Sequence, residues 1–280
     1  MLIKRTLFKH PLLWCLVSDF NQFVTSSDPR RVLKSPFQTS VLFLFVVGLY
    51  WGLDGTAIAD QITKQDGSVL EGTVTGVSAE GQVQVTLSSG SVALPINQLK
   101  WIEMAAPAAV NEARSSGPTQ VIAVLEPLIQ SYQGLPADWI VEAMSLLADA
   151  YAEQNNYEKS NESFQQIAKL YGDYGFGDLT KVGMAKNSLK QGHPDQALSL
   201  VQPVIDEAHK SMSHSEKENR IYSSAFILYG QILEGQNSAP EALSAYLTSL
   251  TIFAHSPDEV HIAQQKVDEL RAAHPNLTAP

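Results

Sequence analysis

The chain has 280 residues, long for one domain and comfortable for two. Its composition, 44% hydrophobic and 17% charged, suits a packed core and excludes a disordered polar chain. Nineteen Lys and Arg against 29 Asp and Glu leave a net charge of −10 with no basic patch, which argues against a nucleic-acid partner. The single cysteine, Cys15, excludes an internal disulfide and a cysteine-rich metal site. Trp14 stands where a lipidation box needs a small residue.

Residues 1–59 read as a delivery segment. Residues 41–53 (VLFLFVVGLYWGL) carry no charge and fall short of the roughly 20 residues that span a bilayer. Arg30, Arg31 and Lys34 precede the run, and Ala57-Ile58-Ala59 follows it as a small-x-small exit. Basic front, short apolar run and exit together predict a secretory signal peptide cut before Asp60. The thirty residues ahead of that front carry a second apolar patch at 12–17, which a start near Val32 or Leu33 would remove. The other readings are an uncleaved membrane anchor with its basic end in the cytoplasm, and a buried core helix. Cleavage and anchor alike put the rest of the chain in the periplasm or outside the cell, with membrane contact through this segment only.

From residue 60 to 104 the period becomes two. Val83, Val85 and Leu87 alternate with Gln82, Gln84 and Thr86, the pattern of a half-buried strand. Asp66-Gly67, Ala79-Glu80-Gly81 and Ser88-Ser89-Gly90 punctuate the runs. Strands are predicted over 60–65, 69–77, 82–88, 91–95 and 99–104, and Gly67, Gly72 and Gly81 are assigned to turns. So many short strands suit a small closed barrel. The pattern resembles the Sm-like or Src-homology-like barrels of bacterial envelope proteins, with Trp101 a core residue or part of a binding face.

Residues 105–136 read as a linker and a first helical hairpin, with Val121, Leu125, Leu128 and Ile129 on one face of the helix that starts at Pro118. From 137 to 275 helical hairpins recur. The first unit, 141–174, has Met144, Leu147, Ala148 and Tyr151 on one helix and Ser160, Phe164 and Ile167 on the next. The second, 178–211, has Met184, Ala185, Gly192, Ala197, Val201 and Val204. The third, 223–256, has Phe226, Tyr229, Gly230, Ala242, Tyr246 and Ser249. Residues 210–220 read as a solvated insertion, and 258–273 as a closing helix. These positions resemble the tetratricopeptide repeat, although the first is never tryptophan and no proline closes the first two units. The fold expected is therefore mainly α: a right-handed α-solenoid of helical hairpins behind a five-stranded β-barrel and a signal or anchor segment.

No nucleophile, base and orienter set stands out, and no enzyme activity, cofactor or metal is expected. His209 and His214 lie five apart, wrong for one helical metal face. The glycine-rich run 172–177 lacks the Gly-Lys-Ser/Thr of a phosphate loop and reads as a helix stop, with Asp178 capping the next helix. The resemblance implies a groove lined by the first helix of each hairpin, formed by Glu142, Asp149 and Glu153, Lys186 and Lys190, and Gln231 and Glu234. Its mixed charge suits a peptide or protein loop. The function expected is an exported envelope scaffold for protein–protein interaction. The alternatives are a self-associating structural subunit of the envelope, a single-pass membrane-anchored assembly factor, and an enzyme whose site has no recognisable motif.

Overall fold

The computed structural model describes residues 59–210, 213–254 and 256–278. The signal or anchor segment lies almost wholly outside them. Five strands come first: β1 (Asp60–Lys64), β2 (Val69–Val77), β3 (Gln82–Leu87), β4 (Gly90–Pro95) and β5 (Leu99–Glu103). All pairings are antiparallel, in the order β4-β3-β2-β1-β5. Alternate residues Ile62, Val74, Val83, Val85 and Ile102 point inward and are buried. The strands fall within about a residue of their expected positions, because the turns are fixed by glycines at positive φ, Gly67 (+82°) and Gly81 (+72°).

Two expectations are corrected here. The sheet is open: β4 and β5 are its two edges and do not pair with each other. The outer edge of β5 is already engaged, because the Ile102 N–H donates to the Pro136 carbonyl at 2.8 Å. Gly72 lies inside β2 and serves no turn. A Cβ there would stand 2.7 Å from both Val85 and Leu87, so glycine is needed where β2 and β3 press together.

Nine α-helices follow among the described residues: α1 (Ala108–Ala113), α2 (Pro118–Ser131), α3 (Asp138–Glu153), α4 (Tyr157–Tyr171), α5 (Gly177–Lys190), α6 (Pro194–Lys210), α7 (Glu216–Gly235), α8 (Ala239–Thr251) and α9 (Pro257–Ala273). Residues 105–136, read as a linker and first hairpin, hold α1 and α2, and Val110 and Ala113 of α1 are buried in the core that the sheet shares with α2, α3 and α4. A second core joins α5, α6 and α7, and a third joins α7, α8 and α9. Burial passes from each hairpin to its neighbour, as in repeat arrays.

The three hairpin turns are built alike. Asn155, Gly192 and Asn237 each adopt positive φ. The following N–H in each case reaches back five residues, from Asn156 to Tyr151, from His193 to Ser188 and from Ser238 to Leu233, at 2.9 Å. The left-handed residue N–H reaches back three, to Ala152, Leu189 and Glu234. This paired bonding satisfies the last carbonyls of the helix and turns the chain back on itself. Buried polar bonds then tie neighbouring helices. Asn187 of α5 donates to Ser160 and Asn161 of α4, each at 2.8 Å, and Ser223 and Ser249 join α7 to α8 at 2.9 Å.

The expected insertion over 210–220 is much shorter. Ser215 and Glu218 form a reciprocal capping box that starts α7 at Glu216, so most of that stretch is helix. His214 is half-buried. Its ring packs against Tyr222 at 5.0 Å and Phe253 at 5.4 Å, while His209, exposed, lies beside Phe226 at 5.5 Å. Asp178 sits within the first turn of α5, not at its cap, and binds Lys181 at 2.7 Å.

Candidate functional site

The first helices of successive hairpins run side by side: α3 contacts α5, α5 contacts α7, and α7 contacts α9. Their facing surfaces enclose two adjoining hollows of about 190 and 550 Å³. Ser145 and Asp149 of α3, Phe176 and Leu179 at the start of α5, and Lys217 and Arg220 of α7 line both. The apolar floor continues through Val141, Val182 and Ile221, with Phe164 of α4 beneath Gly183. This groove is apolar at its base and charged along its rims, which suits an extended chain with side chains of both kinds.

The charges are largely spoken for. Glu142 binds Arg114 at 2.6 Å, and Lys186 binds Asp149 at 3.0 Å across α5 and α3. Lys217 donates to the Tyr174 carbonyl at 2.9 Å and lies 4.1 Å above the Phe176 ring. Glu259 of α9 accepts the Ser224 hydroxyl at the far end of the groove. The sheet reaches the same place. Trp101 of β5, half-buried, packs at a tilt against Tyr174 at 5.2 Å and stacks on Phe176 at 6.4 Å. It therefore holds the 172–177 segment whose Phe176 forms the floor.

Of the residues expected in the groove, the structure brings together Glu142, Asp149 and Lys186. Glu153 and Lys190 are the last residues of α3 and α5 and do not line either hollow. Gln231 is half-buried in α7, outside both. Glu234 lies at the opposite end of α7, where it accepts the Tyr246 hydroxyl and faces Lys266 at 3.7 Å. Burial, reinforced by the Glu234 carboxylate, pushes the Tyr246 hydroxyl well above the usual phenol range. Lys217, Arg220, Ser224 and Glu259 were not expected. The capping box at Ser215 and Glu218, followed by apolar Ile221 and Tyr222, is the signal that places the first two turns of α7 on this face.

The sheet, the hairpins and this groove define a mainly helical protein with a five-stranded antiparallel sheet at its start. No protein-family model matches the sequence, and no curated protein matches it. Among solved structures, the MamA RS-1 ArsTM double mutant aligns over 61% of this chain and 99% of that one, with 15% identity and a TM-score of 0.35. At that identity and score the likeness establishes neither fold nor partner.

Proposed function

We propose that the chain is a scaffold of the tetratricopeptide kind that binds a peptide or protein segment in the groove of α3, α5 and α7, and that it is not an enzyme. The observation that carries this reading is the pair of adjoining hollows along successive first helices, apolar at the base and charged at the rims. We place it outside the cytoplasm on the strength of the apolar run 41–53 and Ala57-Ile58-Ala59. A cut before Asp60 would leave every described strand pairing intact, because β1 begins at that residue. Sequencing of the exported protein should return Asp60 as its first residue, and full-length chain in the membrane fraction would favour the anchor.

Site-specific photo-crosslinking tests the groove. A photoreactive phenylalanine at Leu179 or Arg220 of the full chain should yield adducts of defined mass in cells. The same residue at Gln202 of α6 or Glu162 of α4, which line neither hollow, should not. Equal adducts from all four positions, or none from the first two, would contradict the groove. An adduct of twice the chain's own mass would instead identify a second copy as the partner, the self-associating reading.

A further inference from the structure

Residues 81–99 contain no Asp, Glu, Lys or Arg, in a chain that is 17% charged. They hold β3 and β4, and β4 is an edge of the sheet. Ser88-Ser89 is a two-residue turn, so Leu87 and Gly90 beside it form a hydrogen-bonded pair, and bonded pairs recur at Val85 with Val92 and Val83 with Leu94. The Ile96 N–H, which donates to the Gly81 carbonyl at 3.0 Å, continues the series. The N–H and C=O groups of Ser91 and Ala93, and the carbonyl of Pro95, therefore point away from β3, and no backbone partner meets them among the described residues. Edge strands are commonly guarded by lysine, an inward charge, proline or a bulge. Of these β4 has only Pro95 at its end, and its register with β3 is unbroken, whereas shifts interrupt β1 with β5 and β2 with β3. Val92 and Leu94, on the inward side opposite Val85 and Val83, are left half-buried at this edge.

We infer that β4 pairs with β4 of a second copy, antiparallel about a two-fold axis at Val92, joining two sheets of five strands into one of ten. In this register Ser91 of each copy stands opposite Ala93 of the other, and each such pair exchanges both of its N–H to carbonyl bonds. Every outward N–H of the strand is then used, and Pro95, which has none, lies just beyond. Val92 meets Val92 of the second copy at a closely spaced, non-bonded position, a favourable pairing for β-branched side chains. Leu94 falls opposite Gly90, so both half-buried apolar residues gain cover. Two copies of net charge −10 repel each other, and this register brings them together where neither strand carries a charge. A head-to-tail array would need the edge of β5 as well, and the Ile102 bond to Pro136 occupies it. The contact is therefore self-complementary and closes at two copies. None of the residues lining the hollows lies on β4, so the inference is independent of the groove, and the dimer would carry two of them.

The test uses the full chain carrying Cys15→Ser, so that an introduced cysteine is its only thiol. At the axis the two Cα atoms would lie about 4.5 Å apart, within the reach of a disulfide. Val92→Cys, oxidised with copper phenanthroline, should give a species of twice the chain's mass on a non-reducing gel. Thr73→Cys, exposed on β2, should not. Adding Ala93→Pro removes the N–H that faces the second copy and leaves the bonds to β3 in place. It should cut the dimer by about 10-fold or more, as the loss of its bonds across the axis implies. Ala93→Lys keeps that N–H but sets like charges across the axis, and it should act in the same direction while the melting temperature stays that of the parent. No dimer from Val92→Cys, as when another segment covers the edge, would overturn the pairing. So would an equal yield from Thr73→Cys, or a dimer undiminished by Ala93→Lys in the folded chain.

Discussion

Gly230→Ala is expected to lower the melting temperature, while Gly235→Ala, in the same helix, leaves it unchanged or raises it. Both replacements favour the helix intrinsically, by up to about 1 kcal/mol. At Gly235 nothing lies within 4 Å of the added methyl, so that preference acts alone. At Gly230 the methyl would stand 2.5 Å from Cε1 and 2.7 Å from Cζ of Tyr246. That ring has no exposed surface, and its hydroxyl is tied to Glu234, so it has no room to retreat. Overpacking of this kind costs about 1–3 kcal/mol and outweighs the helix preference. For a chain of this size each kcal/mol moves the melting temperature by about 2–4 °C. Gly183, whose methyl would come within 2.2 Å of the Phe164 ring, should behave as Gly230 does. Thermal melts of the variants decide it: shifts of one sign at Gly230 and Gly235 would mean that α7 and α8 do not approach as described.

A larger loss is expected from Ala148→Trp and Ala242→Trp. Both alanines are fully buried, Ala148 in the core that α3 shares with Phe164 and Ile167 of α4, Ala242 in the core of α7, α8 and α9. An indole needs space that neither core contains, and insertion costs about 1–3 kcal/mol or more. Since each hairpin is covered mainly by its neighbours, the damage should be local. Hydrogen exchange should speed up around α3 and α4 in the first variant, and around α8 and α9 in the second. Melting temperatures unchanged in both would contradict the packing.

Much of this architecture is legible in the sequence, and the rest fails for identifiable reasons. Helical hairpins are visible because small residues such as Ala148 and Ala242 and large ones such as Phe164 and Tyr246 recur at contact positions, and all four are buried. Turn chemistry marks the strands, but closure of a sheet depends on what meets its edge. Pro136, more than thirty residues from β5, meets it here. The groove is half legible. Carrying a repeat pattern over one residue at a time puts Asp149 and Lys186 on the hollows and Glu234 at the other end of α7, because helix length shifts which turns face inward. Treating 210–220 as an insertion hid Lys217 and Arg220, although the Ser215 and Glu218 box marks the helix start. The 2.8 Å bonds of Asn187 to its two partners join residues from different helices, and no local pattern announces them.

The groove is tested most directly by methyl NMR of the full chain titrated with an extended peptide in which leucine and phenylalanine are interspersed with serine. Val141, Leu179, Val182 and Ile221 line the hollows, and their methyl signals should shift on titration. Val69, Ile252 and Ile262 are exposed apolar residues elsewhere, on β2, at the end of α8 and on α9, and theirs should stay in place. Shifts confined to these three, with the groove methyls unmoved, would contradict a binding face on α3, α5 and α7.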